Sequence, residues 1–128
     1  EPLTDLSPNF KNLEPYKKRL EIVRLTAQQV IKDFGIHGYE IEFSGAEEKA
    51  YQELFEQVKP IVVNLLQKNP EKLSSLLYSI DLNERKVRKI LTGGSDNPED
   101  ELTDLVLERE LQKVVIRKYF AQMGNSQS

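Results

Sequence analysis

Four bases fall within five consecutive positions, Arg85, Lys86, Arg88 and Lys89, with Val87 between them. Arginine and lysine at that density suit phosphates, guanine edges or the carboxylates of a protein partner. His37 is the only histidine. With Glu40 and Glu42 it could ligate a metal, at i, i+3, i+5 spacing in a glycine-containing loop. As a general base it would need a serine or threonine brought to it by the fold, because no nucleophile-elbow motif is present. The simpler reading is a loop histidine near the surface.

Other catalytic and cofactor chemistry finds little support. Gly93-Gly94 follows a helix pattern rather than a strand and lacks a downstream Lys-Ser or Lys-Thr, so it reads as a hinge and not as a phosphate loop. Glu47, Glu48, Glu53 and Glu56 read as a solvated helix face, not as a carboxylate pair in a cleft. The Glu-x-x-His pairs of di-metal bundles do not occur. Cysteine is absent, which excludes disulfides, thiolate metal sites and a cysteine nucleophile. No catalytic, metal or cofactor residue is therefore expected.

A chain of 128 residues is one domain's worth. The net charge of −3 gives no overall pull toward nucleic acid or anionic lipid. No apolar run approaches the ~18 residues of a membrane span. With the lack of cysteine, this places the expectation in the cytoplasm.

These residues must be positioned by helices. Residues 1–12, with Pro2 and Pro8 among Leu3, Leu6 and Phe10, read as an irregular arm docked on the domain, and 13–122 as the helical domain. Tyr16, Leu20, Val23, Ala27, Val30 and Phe34 recur at spacings of three and four, which predicts a first helix from about Leu13, capped by Asn12, to a stop at Gly35. Residues 39–43 alternate apolar and acidic. In the absence of a second strand they read as an extended crossover covering one end of a bundle, with pairing to a second copy left open. Ser44 and Glu47 form a capping-box pattern ahead of a second helix, kinked or broken near Val58 by Pro60. Asn69-Pro70 opens a third helix. Asp81 and Glu84 read as cap and first-turn acid of a short fourth. Asn97-Pro98 opens the last, to about Gln122, leaving 123–128 as a disordered tail. The fold class is therefore all-α, a single-domain bundle of about five helices: two long, one proline-kinked, two short.

The last helix has apolar residues on two sides. Leu102, Leu105 and Val106 face one way, and Leu107, Leu111 and Val114 nearly the other. Such a helix either runs through the middle of the fold or packs on a second chain. In the second case Leu107, Leu111, Val114 and Tyr119 are the partner-binding residues.

Over about twenty residues, 73–91 resembles the helix-turn-helix motif of bacterial regulators. Leu76, Ile80, Leu82, Val87 and Ile90 stand where that motif takes apolar groups, and Arg85, Lys86, Arg88 and Lys89 fall on the second helix. Two positions depart from it. Asp81 stands at the turn glycine, and Leu77 at the small residue that lets the two helices approach. The bases also have an internal counterpart, since Asp96, Glu99, Asp100, Glu101, Asp104, Glu108 and Glu110 stand between Ser95 and Glu110 against Arg109 alone. A chain folded back at Gly93-Gly94 would set that acidic turn against the basic helix. The sequence thus points first to a non-enzymatic protein-interaction module with a protein or its own copy as partner. The alternative is a nucleic-acid-binding protein using residues 73–91, and the third reading is an enzyme with an unrecognised site.

Overall fold

The computed structural model describes residues 13–16 and 19–127, with side chains described for all of these except Glu14 and 122–127. The arm expected at 1–12 lies outside the described residues. Five α-helices follow: α1 (Leu20–Ile36), α2 (Ala50–Lys68), α3 (Pro70–Ile80), α4 (Glu84–Lys89) and α5 (Pro98–Gln127). Short 3-10 turns precede α1 (Glu14–Tyr16) and α2 (Glu47–Lys49), and a π turn follows α4 (Ile90–Gly94). No strand occurs among the described residues. The chain is an all-α bundle.

The 30-residue α5 runs through the middle. It packs on α1, α2 and α3, so both of its apolar sides are covered by its own chain. Leu102, Val106 and Leu107 join Ala27, Val30, Phe34, Leu54, Val58, Val62, Leu76 and Ile80 in the main core. Leu111, Val114 and Val115 join Leu13, Tyr16 and Ile22 in a second cluster. The backbone of α5 continues through Gln127, where a tail was expected.

Several boundaries differ from the sequence expectation. The first helix begins at Leu20 rather than Leu13, because Arg19 is extended and Leu13–Tyr16 closes on itself as a 3-10 turn. Leu13 and Tyr16 still bury their side chains, whereas Leu20, counted in the same stripe as Tyr16, is exposed. The helix stops at Gly38, not Gly35. Gly38 takes φ +87°, and the Tyr39 N–H donates to the Phe34 carbonyl at 3.0 Å. Phe34 and Tyr39 then meet edge to face across 6.5 Å, the apolar contact that accompanies this type of helix stop.

Residues 39–43 are an irregular crossover held by side chains. The Gln57 amide accepts from the Glu42 N–H at 2.9 Å and donates to the Glu42 carbonyl at 2.7 Å, which satisfies backbone groups that a strand partner would otherwise take. Ser44 pairs with Glu53 rather than Glu47, its N–H and its hydroxyl each donating to that carboxylate at 3.0 Å. Pro60 sits on an exposed position of α2 without breaking the helix, which is continuous over Ala50–Lys68. Asn69 caps α3 as expected, accepting from the Lys72 N–H at 3.1 Å.

Candidate binding surface

The joint between α3 and α4 is a helix stop followed by a helix start. Asp81 takes left-handed geometry at φ +65°, the conformation for which a turn glycine is usually chosen. Its N–H donates to Tyr78 at 2.9 Å, and the Leu82 N–H reaches back to the Leu77 carbonyl at 3.2 Å. Leu77 and Leu82 are both buried in the main core. Arg109 of α5 anchors the joint, donating to the Asp81 carbonyl and to its carboxylate, each at 3.1 Å. The cap of α4 is Asn83, not Asp81. Its side-chain oxygen accepts from the N–H groups of Arg85 at 2.9 Å and Lys86 at 3.2 Å.

Helix α4 then stands out from the bundle. None of its residues is buried, and it is joined mainly to the π turn that follows it. Val87 alone leans on the main core. Gly94 closes the turn at a point where a Cβ would meet the Lys89 carbonyl oxygen at 2.6 Å, and Thr92 donates to the Arg88 carbonyl at 2.7 Å. Gly93-Gly94 is thus a defined turn rather than a free hinge.

Arg85, Lys86, Arg88 and Lys89 are all exposed. Among the described residues none of them makes a side-chain hydrogen bond or ion pair. The acidic turn therefore makes no ion pair with these four bases among the described residues, although Glu108 shares a cleft with Lys86. Asp100 pairs instead with Lys59 of α2 at 2.7 Å, and Glu110 is inside the protein. Beside the bases, a groove of about 680 Å³ opens between α3 and α4, lined by Leu77, Tyr78, Leu82, Val87, Arg88 and Leu91 among others. Tyr78 is 80% exposed and Leu91 42% exposed.

The residues expected to bind a partner through the last helix are placed differently. Leu111 and Val114 are fully buried and Leu107 nearly so, all within the chain's own core. They form no surface, and the correction follows from α1 and α2 covering the two sides of α5. Tyr119 is half-buried and stacks edge to face on Phe120 at 5.2 Å.

One polar cluster escaped the sequence reading. Glu110 has no exposed surface, and its carboxyl oxygens have no aligned donor. Lys113 Nζ lies 2.8 Å from Glu110 Oε1 and 2.5 Å from Asp33 Oδ2 on α1. Gln29 donates to Asp33 at 3.0 Å, and Arg117 donates to Gln29 at 2.9 Å. Burial is the main cause that pushes the Glu110 carboxyl up to about 8, helped by its hydrogen bond to Asp33 and opposed by Lys113. Burial also resists ionisation of Asp33, but hydrogen bonds from Glu110, Lys113 and Gln29 outweigh it and hold Asp33 below its ordinary value. At neutral pH Glu110 therefore keeps its proton and donates it to the Asp33 carboxylate, with Lys113 as counter-ion. The cluster is sealed from solvent at Glu110 and serves the helix packing.

His37 did gain a serine. Its Nε2 lies 2.9 Å from the Ser79 hydroxyl. That hydroxyl already donates to the Leu76 carbonyl at 2.7 Å, so His37 must donate to Ser79 rather than accept from it. A base that activates a nucleophile needs the opposite polarity. Glu42 holds Gln57 through its backbone, and no group of three metal-ligating side chains forms among the described residues.

No protein-family model, curated protein or solved structure matches the chain. No helix among the described residues is long and apolar enough to cross a membrane.

Proposed function

We propose that this protein is a non-enzymatic interaction module that docks an acidic, partly apolar surface of a protein partner against its α3–α4 face. The observation that carries the reading is the set of bases Arg85, Lys86, Arg88 and Lys89, without an ion pair among the described residues, beside the exposed Tyr78 and Leu91. Tyr78 and Leu91 line one groove with Arg88, so apolar and cationic groups are contiguous there rather than scattered singly. Tyrosine and arginine are also the side chains that most often carry binding energy when a partner covers them.

Nucleic-acid binding through the same four bases is the second reading, favoured by the left-handed turn at Asp81 and the exposed second helix. Against it stand the brevity of α4, six residues before the π turn, and the apolar Leu91 and acidic Glu84 on the surface a phosphate backbone would meet.

Fluorescence anisotropy separates the two. The probes are a labelled amphipathic peptide of about twenty residues rich in glutamate and leucine, long enough for a stable helix, and a labelled mixed-sequence DNA duplex. The peptide is expected to bind saturably at physiological salt and to lose about tenfold or more in affinity with Arg85→Glu/Arg88→Glu, a change of roughly 1.4 kcal/mol or more. A duplex that binds more tightly, with a steep loss as salt rises, would establish the second reading instead. Binding of neither probe would refute both.

A further inference from the structure

We infer that the partner of the α3–α4 face is a second copy of this chain, which receives α4 in the groove between α2 and α5. The inference rests on the reading of the α3–α4 face given above and names its occupant.

The α2–α5 groove is about 760 Å³ and is opposite to α4 in charge. Among its apolar lining Phe55 is half-buried while Leu107 and Leu111 are buried in the chain's own core, and its polar lining includes Glu56, Asp104 and Glu108, with no cation among the described lining residues. Glu108 is exposed and Glu56 is exposed with only a hydrogen bond from Gln52 at 3.1 Å. Helix α4 and the turn after it offer the complement: the exposed Leu91 beside Arg85, Arg88 and Lys89, with Val87 leaning back on the main core. A helical ridge entering an apolar groove between two helices is a recurring recognition mode, and opposite charge on the two rims fixes register and excludes other pairings.

The two surfaces are also placed for reciprocal exchange. Glu108 lines the α2–α5 groove on one side of α5 and, with Lys86 and Arg109, a cleft against the α4 side. Groove and ridge therefore flank one stretch of the central helix. A two-fold axis beside that stretch lets each copy place its α4 in the groove of the other, a closed pair rather than an open chain.

Charge reversal tests this directly. Wild-type protein, Arg85→Glu/Arg88→Glu and Glu56→Lys/Glu108→Lys are measured by sedimentation velocity and light scattering across a concentration series, with circular dichroism to confirm the helical content of each. The wild type is expected to move from monomer to dimer mass as concentration rises, and less so at high salt. Each variant alone sets like charges against each other and is expected to stay monomeric. An equimolar mixture of the two variants makes both contacts complementary again and is expected to return to dimer mass. A wild type that stays monomeric, a reversal variant that dimerises like the wild type, or a mixture that stays monomeric overturns the inference. If the wild type is monomeric while the acidic peptide still binds at Arg85 and Arg88, the second copy alone is wrong and the binding face stands.

Discussion

Lys113 on the last helix and Asp33 on the first meet through Nζ and Oδ2 at 2.5 Å, and the fully buried Glu110 shares both of them. This contact ties the two long helices together near the second apolar cluster, and it sets the pH behaviour of the fold.

Glu110 keeps its proton up to about 8 when folded but ionises near the ordinary 4.5 when unfolded. Between those values the native state binds the extra proton, so stability falls as pH rises through the window, by at most about 1.4 kcal/mol per pH unit. Asp33 acts in the opposite sense, since its depressed value contributes stability that is lost on acidification below its ordinary 3.8. Urea midpoints measured from pH 5 to pH 9 should decline for the wild type. Glu110→Gln, which keeps a donor for Asp33 but cannot ionise, should flatten the decline. A wild-type profile that rises across this window would contradict the assignment of the proton to Glu110.

Leu76 and Leu111 have no exposed surface and belong to different apolar clusters. Truncation to alanine at either site is expected to cost about 2–5 kcal/mol, the range for buried leucines. Denaturant titration of both variants reads this, and a loss under about half a kilocalorie would misplace the residue.

Pro60 withholds a backbone donor in mid-helix while its own ring lies on an exposed position. Pro60→Ala should therefore raise stability, by about 1–3 kcal/mol given the proline cost in helix interiors. Thermal unfolding checks the sign. A lowered midpoint would mean that the proline is needed for the course of α2 past α5.

Asn83 supplies the side-chain cap of a helix only six residues long with no buried residue to hold it. Asn83→Ala is expected to cost about 1 kcal/mol globally. Its larger effect should be local, as faster amide exchange over residues 84–89 than in α1 or α2. Unchanged exchange there would show that the π turn, not the cap, holds α4.

Much of this fold could be read from residue types. The two-sided apolar pattern of the last helix marked it as either central or shared, Asn69-Pro70 marked a helix start, and the alternation at Tyr39, Ile41 and Phe43 marked a crossover with one apolar side. What could not be read was pairing at a distance. Glu110 looked like one more acid of an acidic stretch, although it falls four residues after Val106 and four before Val114, on a face that turned out to be buried. Lys113 is an i, i+3 neighbour on the same helix, but only the fold brings Asp33 to the pair. The same limit misdirected the bases. The acidic turn was close in sequence, but Asp100 went to Lys59 and Glu110 went inside, which left Arg85, Lys86, Arg88 and Lys89 to the solvent. Local geometry misled at Asp81 as well, because aspartate suits both a cap and a left-handed turn, and Asn83 two residues later is the better cap once Leu82 is pulled into the core.

The most direct test of the α3–α4 face is a residue-resolved map of where an acidic partner sits. In ¹H–¹⁵N correlation spectra titrated with the acidic amphipathic peptide, the expected result is saturable shifts confined to Tyr78 and residues 84–92, abolished by Arg85→Glu/Arg88→Glu. Shifts that cluster elsewhere, or that survive the double reversal, would contradict the assignment of this face as the binding surface.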